Sequence, residues 1–168
     1  MATMVGKQAD IGKALNAALE LEYDAIGAYE AAVSRLESRT SKEQLKSFLA
    51  DHEGHVEELT RAIAGLGLTP ATRGDAKGIL AKGKVVVGGL FGDHAILLAM
   101  KTNEDDTNTA YERLLQRSDF PAGLLSLAQR FLGDERRHRA WIEDQLRTTP
   151  TKGSSASTGG ASQSSPTR

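Results

Sequence analysis

Apolar residues return on a helical period from Gln8 to Glu37, at Ile11, Leu15, Leu19, Ile26, Val33 and Leu36, and no proline interrupts them. That pattern predicts a first long helix. Thr40-Ser41-Lys42-Glu43 has the spacing of a capping box, and Leu45, Phe48, Leu49, Val56, Leu59 and Ile63 then carry a second helix until Gly65 and Gly67 stop it. Thr69-Pro70-Ala71-Thr72-Arg73-Gly74 reads as a connection that crosses from one end of a bundle to the other, with the two halves of the chain repeating in the same direction. From Asp75 to Gly92, Ile79, Leu80, Val85 to Val87 and Leu90 support a helix that Gly78, Gly83, Gly88, Gly89 and Gly92 weaken. The stretch predicts a short helix leading into a long third one that ends near Arg117. Lys82, Lys84, Asp93 and His94 break it well short of the roughly 20 apolar residues of a membrane span. Pro121 suits the first position of a fourth helix, which runs to Thr148–Pro150. Residues 150–168 are Ser, Gly and Thr with almost nothing to bury, and predict a disordered tail.

The fold expected is therefore all-α: a four-helix bundle over residues 1–149, made of two pseudo-repeated helical hairpins joined by a long crossover. The repetition is visible in the residues. Glu22-Tyr23-Asp24 with Ala28-Tyr29-Glu30 recurs as Glu104-Asp105-Asp106 with Ala110-Tyr111-Glu112. Asp51-His52-Glu53-Gly54-His55 recurs, at almost the same offset, as Asp134-Glu135-Arg136-Arg137-His138. In an antiparallel hairpin two residues share a height when they are equidistant from the turn. The midpoint of Glu22 and His55 falls on Ser38-Arg39, and that of Glu104 and His138 on Pro121. At ~1.5 Å per residue each Glu–His pair lies about 25 Å from its turn, so one plane could hold both pairs.

Residues three apart on a helix share a face, so Glu135 and His138 can reach one centre together while Glu104 faces them from the neighbouring helix. Carboxylates bridge cations and offset their repulsion, and imidazoles add neutral donors. That set suits a pair of iron or manganese ions better than magnesium or calcium. The first half differs: Glu22 and His55 match, but His52 stands where the second half has Glu135. Three carboxylates then leave one positive charge of two divalent ions unbalanced. Asp51 supplies the missing carboxylate, four residues before His55 as Asp134 is before His138, or His52 ligates directly, or the site holds one metal or none. The hairpin arithmetic places Tyr29 and Tyr111 opposite Phe48 and Phe131, as an aromatic layer whose hydroxyls can hydrogen-bond and orient ligand carboxylates. Glu20, Glu53, Glu57 and Glu58 read as helix surface, and Trp141 as packing near the site. With neutral imidazoles required as ligands, metal affinity is expected to fall below a pH of about 6.5.

Composition removes other classes. The chain has 168 residues, a formal charge of −1 and no cysteine. Nucleic acid and anionic membrane are not expected partners. Disulfides, thiolate sites and iron–sulfur centres are excluded, leaving nitrogen and oxygen ligands. Met1 to Asp10 has no apolar core of the signal-peptide kind, and a cytoplasmic location is the default expectation.

Over residues 8–148 the chain resembles the ferritin-like superfamily, and within it the rubrerythrin-like and related bacterial ferritin-like proteins. The resemblance rests on Glu22 with Tyr29, His55, Glu104 with Tyr111, and Glu135-x-x-His138, in the order that family uses. It departs at His52-x-x-His55, where the family's second helix carries Glu-x-x-His. The resemblance implies two iron ions, with manganese or zinc as alternatives, held by Glu22, His52 (or Asp51), His55, Glu104, Glu135 and His138. It also implies chemistry on ferrous iron with oxygen or peroxide, with no catalytic residue beyond the metal centre. Without rubredoxin-like cysteines, electrons would come from a separate donor. The alternative is a metal-binding or stress-related bundle without turnover. Homo-oligomer formation is left open.

Overall fold

The computed structural model describes residues 3–74 and 90–149. The expectations for residues 75–89 and for the tail from residue 150 lie outside the described residues. Four helices make up the described chain: α1 (Ile11–Arg35), α2 (Arg39–Gly65), α3 (Asp93–Leu115) and α4 (Ala122–Thr148).

Each boundary has a local cause. Asp10 caps α1, its Oδ1 accepting the Lys13 backbone N–H at 2.8 Å, so the helix begins three residues after Gln8. Ser38, not the Thr40–Glu43 box, caps α2: its Oγ accepts the Ser41 N–H at 3.2 Å, and Ser41 itself is buried within the helix. Gly92 precedes α3 at φ 85°, a left-handed conformation that glycine adopts without strain. Asp93 then fastens the start of α3 to the first hairpin turn, accepting the backbone N–H groups of Glu37 and Ser38 at 2.7 and 2.8 Å. Helix α3 stops at Leu115, short of Arg117, whose guanidinium donates to the Gln8 carbonyl. Pro121 is the cap of α4 and not its first residue, and its carbonyl accepts from Leu124 and Leu125.

These fastenings show the topology. Asn16 near the start of α1 holds Thr69 and Ala71, Arg73 reaches Glu30 further along α1, and Asp93 sits at the α1–α2 turn. Thr69, Ala71, Arg73 and Asp93 therefore lie at successive heights along α1, from its start to its end. As a result α3 runs antiparallel to α1: Tyr29 meets Glu104, and Glu22 meets Tyr111. The same-direction repeat expected from sequence is corrected to an approximate two-fold relation between the hairpins.

The core has two apolar parts. Leu15, Leu19, Leu59, Ile63, Leu114, Phe131 and their neighbours fill one end, and Leu36, Leu45, Phe48, Ile96, Met100 and Ile142 the other. The buried polar residues Glu22, His52, His55, Glu104, Glu135 and His138 are each no more than 3% exposed. No helix among the described residues is long and apolar enough to cross a membrane.

Candidate metal centre

The two-fold relation brings the repeated residues of all four helices together. Glu22 comes from α1, His52 and His55 from α2, Glu104 from α3, and Glu135 and His138 from α4. They form two groups able to hold a metal ion: Glu22, His52, His55 and Glu135, and His52, Glu104, Glu135 and His138. In each group the donor atoms lie within 4.8 Å of one another. His52 and Glu135 belong to both groups, and Asp51 to neither.

The surrounding contacts repeat in the same reciprocal way. Tyr29 donates its hydroxyl to Glu104 Oε1 at 2.6 Å, and Tyr111 donates to Glu22 Oε1, so each tyrosine orients the carboxylate of the other hairpin. His55 stacks on Phe131 with ring centroids 3.9 Å apart, and His138 lies at 4.1 Å over Phe48. Phe48 also meets Tyr29 and the half-buried Trp141 edge to face. The outer nitrogens are held from across the bundle: His138 Nε2 donates to Asp51 at 2.9 Å and His55 Nε2 to Asp134 at 3.3 Å. A carboxylate on the outer nitrogen fixes the ring and turns Nδ1 inward, the arrangement common behind metal-bound histidine. Arg137 ties the two aspartates together by donating to both. Its counterpart in the first hairpin is Gly54, beside which there is open space.

The donor set fits a cation. His52 Nε2, His55 Nδ1, His138 Nδ1, Glu104 Oε2 and both Glu135 oxygens are buried without a hydrogen-bond partner. Buried polar groups are rarely left so, and each costs about 1–3 kcal/mol. All six belong to the two groups just described, where metal ions would satisfy them.

Burial and mutual attraction set the protonation of these groups. Burial alone would raise the pKa of Glu22, but His52 and His55 beside it hold it well below the usual carboxylate range. Burial would lower both histidines, and the facing carboxylates win: Glu135 and Glu22 hold His52 well above its ordinary value, while Glu22 and Glu135 push His55 up to about 10. Glu135 is pushed up to about 7 by burial, against the pull of His52 and with the help of Glu104. His138 is lowered, chiefly by burial, despite the attraction of Glu135. Metal must therefore displace protons from His52 and His55, whereas burial favours the neutral form of His138.

This moves the pH threshold expected from sequence. The folded pKa of His55 lies above its reference of 6.5, so its ion pairing stabilises the metal-free fold fully below that value. The contribution is lost as pH rises through about 10. Metal affinity is expected to climb across the same window, as competition titration at a series of pH values would show. Affinity that is flat above 6.5 would contradict the assignment of His55.

Some features were not anticipated. Asp134, noted only as the repeat of Asp51, is the partner of His55; the repeated Asp four residues before His was the available signal. Asn108 and Thr107, both buried, donate to the Glu104 carbonyl. Asp24 is 6% exposed with neither oxygen partnered, and burial, followed by Glu20, pushes it up to about 7. Glu53 and Glu57 are exposed and Glu20 and Glu58 half-buried, as helix-surface residues should be.

The model of a domain of unknown function, DUF2383, matches residues 10–117, and the chain belongs to that family. No curated protein and no solved structure matches it. The family match covers α1 to α3 and ends before Glu135 and His138.

Proposed function

We propose that the chain is a ferritin-like dinuclear metal protein that binds two iron ions through Glu22, His52, His55, Glu104, Glu135 and His138 and acts on ferrous iron with oxygen or peroxide. The observation that carries this reading is the pair of buried groups sharing His52 and Glu135 between two apolar layers. Bound iron would supply one-electron redox capacity and Lewis acidity at that position. The rest belongs to the protein. Tyr29 and Tyr111 hold the terminal carboxylates, and Asp51 and Asp134 keep the outer nitrogens protonated so that Nδ1 faces inward. The apolar layers limit water, and with no cysteine this sequence holds no rubredoxin-type or iron–sulfur electron donor.

A second reading, a metal-binding or stress-related module without turnover, is favoured by His52. Three imidazoles and three carboxylates suit zinc as well as iron. Single-turnover spectroscopy separates the two. With two equivalents of ferrous iron and then oxygen or hydrogen peroxide, the oxidase reading expects oxidation well above the protein-free rate, lost in Glu104→Ala. Iron that stays bound and ferrous, or oxidises no faster than in buffer, supports the module.

A further inference from the structure

His52 differs from the other two histidines in having no outer partner. His55 and His138 each give one nitrogen to an aspartate and turn the other inward. His52 is fully buried and presents both nitrogens to the centre. Its Nδ1 lies 2.7 Å from Glu22 Oε2 and 3.6 Å from Glu135 Oε1, on the side of the group that contains His55. Its Nε2 has no hydrogen-bond partner and points toward Glu104 Oε1 at 3.9 Å, on the side of the group that contains His138. Glu135 divides in the same way, with Oε1 3.4 Å from His55 Nδ1 and Oε2 4.0 Å from His138 Nδ1.

We infer that His52 bridges the two metal ions as an imidazolate, one ion on each ring nitrogen, in place of a second bridging carboxylate. The inference rests on the dinuclear reading above and deepens it. Among the ligating groups it also closes the charge deficit, because an imidazolate adds a fourth negative charge to Glu22, Glu104 and Glu135, against two divalent ions. The step is coordination without redox change. One metal–nitrogen bond forms at Nδ1 and one at Nε2, and both N–H protons of the imidazolium leave to solvent. An unbalanced positive charge in this apolar interior would be costly, which favours the loss.

The bridge sets the spacing of the ions. Two metal–nitrogen bonds of about 2.0 Å on opposite sides of an imidazole ring hold the ions about 6 Å apart. Pairs whose only bridges are carboxylates lie about 3.5–4 Å apart, whereas here Glu135 would span the longer gap by giving one oxygen to each ion.

The test loads the full-length protein anaerobically with cobalt(II) and locates the ions by anomalous scattering from crystals. Two cobalt ions about 6 Å apart, with His52 bonded to both, is the expected result. In His52→Glu two ions should remain and draw in to about 3.5–4 Å, the carboxylate-bridged spacing. Two ions in the natural protein with His52 bonded to only one would overturn the bridge and leave the dinuclear reading standing. Fewer than two buried ions would overturn the dinuclear reading and the bridge with it. The measurement on the natural chain decides the question even if His52→Glu fails to fold.

Discussion

Glu135→Ala is expected to strip both metal ions at once, because Glu135 belongs to both ligand groups and directs one oxygen into each. The loss for each ion should exceed the roughly 10–100-fold that follows removal of an outer-shell partner. Asp51→Ala supplies that comparison, since Asp51 bonds His138 Nε2 and Arg137 but belongs to neither ligand group; it should weaken binding within that range and leave two ions. Metal-free stability should move the other way. The pKa of Glu135 is pushed from 4.5 up to about 7, so its ionisation destabilises the metal-free fold progressively as pH rises through that interval. The near-isosteric Glu135→Gln should therefore raise the thermal midpoint of metal-free protein above pH 7, as calorimetry would show. Loss of only one ion in Glu135→Ala would point to two independent mononuclear sites.

Metal itself should have the second large effect. The metal-free centre leaves six buried polar atoms without hydrogen bonds and confines three carboxylates in an apolar bundle. A ligand that binds only the folded state stabilises it by about 4 kcal/mol at a thousand times its dissociation constant. At roughly 2–4 °C per kcal/mol for a chain of this size, one ion should raise the thermal midpoint by about 10 °C, and two ions by more. Thermal scans with and without chelator measure this directly. A midpoint indifferent to iron, manganese and zinc would mean that the cluster is held by protons alone.

Much of the centre was legible because helix geometry converts spacing into position. Glu22 and His55, equidistant from the Ser38 turn, meet as the hairpin arithmetic requires, with Glu22 Oε2 3.4 Å from His55 Nδ1. The same arithmetic placed Tyr29 against Phe48 and Tyr111 against Phe131, and their rings meet edge to face. What could not be read depends on the relation between hairpins. A repeat in sequence is the same whether its copies are related by translation or by a two-fold axis, and only the path after α2, ending where Asp93 caps the first turn, distinguishes them. The choice between His52 and Asp51 was open for a similar reason. They are neighbours on one helix about 100° apart, and the position of α4 decides which side chain faces inward and which reaches across to His138. The cap of α2 was misplaced because Ser38 and Thr40 both have cap chemistry. Ser38 prevails because Asp93 binds its backbone N–H and fixes the turn.

The central claim is that four helices build one buried centre for two ions, and metal stoichiometry tests it most directly. Protein purified without chelator and titrated anaerobically with ferrous iron should bind close to two ions per chain, and Glu22→Ala and Glu104→Ala should each lower that number. Binding of no more than one ion, or two ions retained unchanged in both variants, would contradict it.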